Sequence, residues 1–126
     1  MVYLLDTNFI INYFKGIFKG DALKFTDSVI SGTTFISVIT RIELLGLTSN
    51  DEDLSLINDF ISESVVFGLT EDIIQRTISL RKSKKIKLPD AVIAATALEN
   101  NLQLLTLNVK DFKNISGLTI IDANKL

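Results

Sequence analysis

Short apolar runs alternate with longer stretches of helical periodicity along the whole chain. The first run covers residues 2–5 and stops at Asp6. Short apolar runs bounded by polar residues are typical of buried strands, whereas apolar residues three or four positions apart indicate helices. Four more segments, rich in β-branched and apolar residues, are predicted as strands: 33–38, 65–69, 102–106 and 118–121.

The predicted helices fill the intervals between these strands. They are residues 8–14, 21–32, a helix from Thr40, 51–62, 70–84 and 89–98. Asp21 and Thr70 are predicted N-caps, and Gly32 is a suitable C-terminal glycine. Thr40 and Glu43 match a capping box, in which the two residues bond each other's backbone. The helix after Pro89 is apolar or small on nearly every side, so we expect it to be buried.

This alternation predicts an α/β fold with a parallel sheet of about four to five strands and helices on both faces. A length of 126 residues fits one domain, which we assign to residues 1–126. In such folds ligands bind beyond the carboxyl ends of the strands. Candidate functional residues are therefore expected at that edge of the sheet.

Acidic and small polar residues are concentrated at the predicted carboxyl edge. The acids follow strands or begin the next helix, and they are Asp6, Glu43, Asp90 and Asp111. Short polar side chains stand beside them, namely Thr7, Asn8, Thr106 and Asn108. Each acid also has a purely structural interpretation, as a helix cap or a solvated loop residue. Their common position at one edge favours a shared site.

The chain contains no histidine and no cysteine. This composition excludes serine–histidine and cysteine–histidine catalysis, thiolate metal sites and imidazole zinc sites. Carboxylates alone form a hard oxygen site, which prefers Mg²⁺, or else Mn²⁺. Without a cation these carboxylates would repel one another, and some would hold protons. A bound divalent ion can activate water and stabilise charge on a phosphodiester.

Two further segments suggest surfaces for partners. The net charge of −2 does not indicate a nucleic-acid binder, so any such role depends on the local distribution of charge. Basic residues cluster just before Asp90, and Arg81, Lys82, Lys84, Lys85 and Lys87 are candidate RNA contacts. The alternative is an ordinary solvated helix end. Residues 9–18 are densely apolar, and the part that the core does not bury is a candidate surface for a partner helix or a second copy.

Four segments of the chain resemble the PIN-domain family and, within it, the VapC-type toxins of toxin–antitoxin pairs. They are YLLDTNFII (3–11), ISVITRIELL (36–45), LPDAVIAATA (88–97) and LLTLNVKDF (104–112). They span most of the chain in the family's order. The resemblance maps the family's acids onto Asp6, Glu43 and Asp90, with Asp111 or Asn108 as the fourth site residue, and it gives Thr7 and Thr106 supporting roles.

The resemblance implies a magnesium-dependent endoribonuclease that hydrolyses RNA as the toxin of a type II toxin–antitoxin system. It further implies a homodimer and inhibition by a cognate antitoxin protein. A catalytically idle PIN fold that binds RNA or a partner is the alternative. A receiver domain would need a phosphate-accepting aspartate at the end of a central strand, and residues 65–69 contain none. A dinucleotide-binding fold would need a glycine-rich turn after the first strand, and residues 6–8 contain no glycine. With no apolar run long enough for a membrane span and no signal-peptide pattern, we expect a cytoplasmic protein.

Overall fold

A computed structural model describes residues 2–47 and 50–126 of the chain. Within them, five strands form one sheet in the order β3-β2-β1-β4-β5, and every neighbouring pair is parallel. The strands are β1 (Tyr3–Leu5), β2 (Phe35–Ser37), β3 (Val65–Phe67), β4 (Gln103–Thr106) and β5 (Ile120–Asp122). The predicted α/β class and parallel sheet are therefore confirmed. The first strand of the chain is the central strand of the sheet.

Six α-helices connect these strands in the described part of the chain. They are α1 (Thr7–Phe14), α2 (Gly20–Ser31), α3 (Val38–Leu47), α4 (Asp51–Glu63), α5 (Glu71–Ser83) and α6 (Leu88–Glu99). Two short 3₁₀ turns follow β4 and β5, at Val109–Phe112 and Ala123–Lys125. None of the described helices combines the length and the apolar character that a membrane span requires.

The sheet separates two apolar cores because successive residues of a strand point to opposite faces. Leu4 and Leu104 lie in the core on the α5 and α6 face, whereas Leu5 and Leu105 lie in the core under α1, α2 and α4. The predicted burial of the helix after Pro89 is confirmed, since residues 91–97 are all buried. Both faces of the sheet are thus covered, and a site can form only where the strands end.

The helix after β2 begins two residues earlier than predicted. Val38 is its first residue, and the Oγ of Ser37 accepts a hydrogen bond from the backbone N–H of Ile39 at 3.1 Å. The capping box of Thr40 and Glu43 is therefore wrong: Thr40 lies inside the helix, fully buried. Because helix follows strand without a loop, the last residue of the strand provides the cap. The side chains of Thr40 and Glu43 are left for other contacts.

Helix α2 also begins earlier than predicted. Lys19 is its N-cap, without a side-chain cap, and Asp21 lies in its first turn. The positive φ of 59° at Gly20 lets the chain start the helix there. Two other predicted helix caps are confirmed, since Gly32 is the C-cap of α2 and the Thr70 Oγ1 accepts from the N–H of Ile73 at 3.3 Å.

The apolar segment 9–18 divides between core and surface. Phe9, Ile10 and Phe18 are buried, whereas Phe14 is 36% exposed and Ile17 is 48% exposed. An open groove of about 430 Å³ lies between α1, α3 and α4. Its apolar lining residues are Ile11, Phe14, Leu44, Leu47, Leu56 and Ile57.

Candidate active site at the carboxyl edge of the sheet

Asp6 occupies the centre of the carboxyl edge, directly after β1. Its side chain is only 5% exposed. One carboxylate oxygen, Oδ1, accepts from the N–H of Thr7 at 2.9 Å, so that Asp6 also caps α1. The other, Oδ2, accepts from the hydroxyl of Thr106 at 2.7 Å, at the end of the neighbouring strand β4. Two hydrogen bonds therefore fix the orientation of the Asp6 carboxylate.

Glu43 reaches the same edge from α3. Its Oε1 lies 2.7 Å from the hydroxyl oxygen of Thr7, which also lies 3.0 Å from the hydroxyl oxygen of Thr40. A carboxylate only accepts hydrogen bonds, so the Thr7 hydroxyl donates its hydrogen bond to Glu43. The residues that matched a capping box in the sequence thus bind α1, and this contact brings Glu43 beside Asp6.

The loop after β4 is tied to the same residues. The side-chain oxygen of Asn8 accepts from the N–H of Leu107 at 3.1 Å. The N–H of Asn108 donates to the Thr106 hydroxyl at 3.0 Å, and the N–H of Asp111 donates to the Asn108 carbonyl at 3.1 Å. The predicted supporting residues Asn8, Thr106 and Asn108 therefore connect Asp6 to the turn that carries Asp111.

Asp90 lies in the first turn of α6 and is partly buried. It does not cap the helix, because Lys87 occupies the N-cap position. Asp90 and Asp111 line one open pocket of about 420 Å³. Asp111, rather than Asn108, is therefore the predicted fourth residue that shares a pocket with Asp90.

The pKa of Asp90 is affected by its burial and by the other acids nearby. It is raised to about 6, with burial as the largest cause. The negative charges of Asp111, Asp6 and Glu43 raise this pKa further, in that order, and Lys87 lowers it. Acids from three other segments therefore act on the Asp90 carboxyl group.

Asp6 experiences the same field at a more buried position. Burial is the largest cause that raises the pKa of Asp6, and the charges of Glu43 and Asp111 raise it too. The hydrogen bonds from Thr106 and Thr7 oppose this by lowering the pKa. A raised pKa at both carboxyl groups means that a nearby positive charge would stabilise them.

The residues at this edge fit a magnesium ion by chemistry. All the side-chain atoms at this edge that could act as metal ligands are oxygens, which Mg²⁺ prefers. Within residues 2–47 and 50–126, no three acidic side chains converge on one point closely enough to enclose a metal ion. Mg²⁺ does not need such enclosure, because it usually keeps several waters and takes only one or two carboxylates directly.

Basic residues surround Asp90 and Asp111 in the same pocket. Of the predicted RNA contacts, Arg81, Lys85 and Lys87 line it. The structure adds Lys110 to this lining, although Lys110 lies outside the basic run of the sequence. Lys110 directly precedes Asp111 in the sequence, and this position could have indicated that it lies near the acids.

The remaining basic residues of the run have other environments. Lys82 is exposed on α5, outside the described lining of the pocket. The ammonium group of Lys84 donates to the backbone carbonyl of Asn114. Arg76 pairs with Glu99 at 2.6 Å and joins α5 to α6. The basic run therefore has two parts, and one of them faces the acids.

Comparison with known proteins agrees with this geometry. Residues 3–118 match the sequence model of the PIN domain. A chain of a toxin–antitoxin complex from Klebsiella pneumoniae superposes with a TM-score of 0.78 at 30% identity, over 96% of this chain and 97% of that one. A chain of DNA-bound VapBC from Salmonella typhimurium gives a TM-score of 0.80 at 25% identity, over 98% of both chains.

A shorter match connects the sequence to a curated protein. Over 32 residues it is 59% identical to Ribonuclease VapC1 of Rickettsia felis. This match spans 25% of the present chain and 24% of that protein. The family match covers nearly the whole described fold and all four acids, so the chain belongs to the PIN-domain family.

Proposed function

We propose that this protein is a magnesium-dependent endoribonuclease and the toxin of a type II toxin–antitoxin system. The observation that supports the proposal most is the gathering of four acids at one sheet edge, where burial and then the charges of Asp111, Asp6 and Glu43 raise the pKa of Asp90 to about 6. A protein gains nothing in stability from such mutual repulsion. A divalent cation would convert the repulsion into attraction, and the similar solved structures are toxin–antitoxin complexes.

The chemistry assigned to the site is hydrolysis of an RNA phosphodiester bond. When bound, Mg²⁺, or alternatively Mn²⁺, supplies activation of water and stabilises charge on the phosphate. Asp6 and Asp90 would hold the ion directly, and Glu43 would bind it directly or through water. Asp111 adds negative charge beside Asp90. Thr106 keeps Asp6 oriented through its 2.7 Å hydrogen bond.

The RNA backbone is assigned to the basic side of the Asp90 pocket. Arg81, Lys85, Lys87 and Lys110 line this pocket beside the acids. Cations at these positions attract phosphates and offset the negative charge that would otherwise repel RNA from the site. Such contacts carry no sequence information, so they bind any RNA strand of suitable shape.

The antitoxin is assigned to the groove between α1, α3 and α4. Its exposed apolar side chains include Phe14, Leu47 and Leu56. A groove of this kind suits the apolar face of an amphipathic helix. The proposal also includes a homodimer, which static light scattering of the isolated protein tests: a mass of one chain at high concentration would reject it.

Cleavage of RNA by the purified protein tests the enzymatic proposal. Total tRNA and rRNA are incubated with Mg²⁺, with Mn²⁺ and with excess EDTA, using wild type, Asp6→Asn and Asp90→Asn. Asp72→Asn is the matched control, because Asp72 is exposed in the first turn of α5. Cleavage that needs metal and is lost only in the two site variants supports the proposal. Equal cleavage by all four proteins would indicate a contaminating ribonuclease.

A catalytically idle PIN fold that binds RNA or a partner protein is the second candidate. The observation that favours it is the lack of three converging acidic side chains in the described residues. Folded wild type that binds Mg²⁺ and RNA but cuts neither RNA nor single-stranded DNA would support this candidate. Metal-dependent cleavage would reject it.

A further inference from the structure

The backbone of Leu107 is held on both sides by asparagine side chains. Its N–H donates to the Oδ1 of Asn8 at 3.1 Å, and its carbonyl accepts from the Nδ2 of Asn124 at 2.8 Å. Asn8 belongs to α1, and Asn124 to the 3₁₀ turn Ala123–Lys125. Side chains from the two ends of the chain therefore fix one peptide segment directly after β4.

This segment carries the groups that orient the acids. Thr106 precedes Leu107 and donates to Asp6, while the N–H of Asn108, which follows, donates to the Thr106 hydroxyl. The carbonyl of Asn108 accepts from the N–H of Asp111. A shift of the Leu107 peptide would therefore move two groups together: the Thr106 hydroxyl that bonds Asp6, and the Asn108 carbonyl that bonds the N–H of Asp111.

The side chain of Asn124 is itself held in place. Oδ1 of Asp122 accepts from the Asn124 backbone N–H and from its Nδ2, both at 2.9 Å. Asp122 ends β5 and is paired with Thr106 in the sheet register. Both N–H bonds of the Asn124 amide thus have acceptors, one at Asp122 and one at Leu107. An exposed residue that makes two directed hydrogen bonds is suited to positioning its neighbours.

We propose that Asn124 is a positioning residue for the acidic site, acting through the carbonyl of Leu107. Asn124 lies beyond residues 3–118, the part of the chain that matches the family model. The inference rests on the proposed metal site. Its first part, that Asn124 orders the loop after β4, does not depend on RNA cleavage. Outer hydrogen-bond partners of metal ligands commonly change metal affinity or activity by about 10- to 100-fold. Asn124 acts one residue further out, so we expect its loss to reduce the affinity for Mg²⁺ about tenfold.

The test compares Asn124→Ala with Asn58→Ala, the same substitution at an exposed position of α4. Amide hydrogen exchange in metal-free protein is measured at Asn108 and Asp111, whose N–H groups bond within the loop. Losing one hydrogen bond should speed their exchange about fivefold. Mg²⁺ affinity is measured by titration calorimetry, and urea unfolding reports global stability. Asn124→Gln, which keeps the donor, should recover part of the effect.

The expected result is faster exchange confined to the loop after β4, with Mg²⁺ affinity reduced about tenfold by Asn124→Ala. Cleavage should then show a lower kcat with KM nearly unchanged, because the basic pocket is intact. Exchange that accelerates equally throughout the protein would overturn the inference, as would unchanged exchange at both amides. Wild type that cuts no RNA would reject the proposed function, and the two amides would still decide this inference.

Discussion

The two halves of the acidic edge are stabilised differently. On one side Asp6 is buried, with both carboxylate oxygens hydrogen-bonded, and Glu43 accepts from Thr7. On the other side Asp90 and Asp111 line an open pocket with basic side chains. The first half is ordered by short hydrogen bonds that hold without a ligand. The second half carries charges that solvent, cations and phosphates can reach.

This difference separates two kinds of residue within one site. Substitutions on the buried side should disturb the geometry of the proposed metal ligands, because nothing else can replace a lost hydrogen bond there. Substitutions on the open side should mainly change charge, which salt and solvent screen. The contrast predicts effects of different size and different kind on the two sides.

The largest effect is expected from Asp6→Asn, compared with Asp111→Asn on the open side. If Asp6 is a primary metal ligand, as proposed, its loss removes several kcal/mol of transition-state stabilisation, so kcat/KM should fall more than about 100-fold. Asp111 is exposed, and its substitution should reduce kcat/KM about tenfold. Single-turnover cleavage with saturating Mg²⁺ measures both. An Asp111 variant that loses more than the Asp6 variant would reverse the assignment of the two sides.

The next largest effect is expected from Thr106→Val, which keeps the shape of the side chain and removes the hydrogen bond to Asp6. Affinity for Mg²⁺ should fall between about 10- and 100-fold, and Thr106→Ser should restore most of it. Thr77→Val is the matched control, since Thr77 is a buried threonine that bonds only within α5 among the described contacts. Equal losses in both valine variants would indicate a general packing effect.

A smaller effect is expected from Lys87→Ala and Lys110→Ala. Each should raise KM about fivefold with kcat preserved, because phosphate contacts bind ground state and transition state alike. Each should also reduce the slope of log affinity against log salt by about 0.7 for a single strand. Lys82→Ala on α5 provides the control outside the pocket. A similar loss in Lys82→Ala would show that RNA binds along α5 instead.

The smallest effect concerns stability without metal. The folded pKa of Asp90 is about 6, above the ordinary value of 3.8, so the folded protein holds more protons than the unfolded chain between these values. The free energy of unfolding should therefore decrease as pH rises from about 4 to 6. Because Asp90 is only partly buried and solvent screens its charge, the change should be about 1 kcal/mol or less.

Asp90→Asn should flatten this dependence and make the metal-free protein slightly more stable at pH 7. Urea unfolding at pH 4.5, 5.5 and 7 in EDTA measures it. Added Mg²⁺ should stabilise wild type and leave Asp90→Asn nearly unchanged, since a ligand stabilises only the state that binds it. Identical pH profiles for the two proteins would contradict the charge coupling between Asp90 and the other acids.

The position of the acids could be predicted from the sequence because strand ends are marked by an abrupt change from apolar to polar residues. Asp6 and Thr106 end two such runs, and parallel strands bring their carboxyl ends to one edge. The start of α3 was mispredicted, since Ser37 and Thr40 are chemically similar caps. Only the register of β2 decides which of them ends the strand.

The contacts that organise the site could not be predicted, because they join residues far apart in sequence. The hydrogen bond from Thr106 to Asp6 spans 100 positions, and the contact of Asn124 with Leu107 depends on how β5 pairs. The basic run shows the same limit. Its residues look alike in sequence, yet Lys85 faces the acids and Lys84 binds the carbonyl of Asn114.

The place of β1 at the centre of the sheet has a consequence for synthesis of the protein. Strand β1 provides Asp6, yet its neighbour β4 and the turn with Asp111 are synthesised much later than β1. A nascent chain therefore lacks part of the acidic edge until β4 and this turn have been made. Under the proposed function, unfinished copies would therefore not cut RNA, and the proposed antitoxin would have to bind only chains that carry the whole acidic edge.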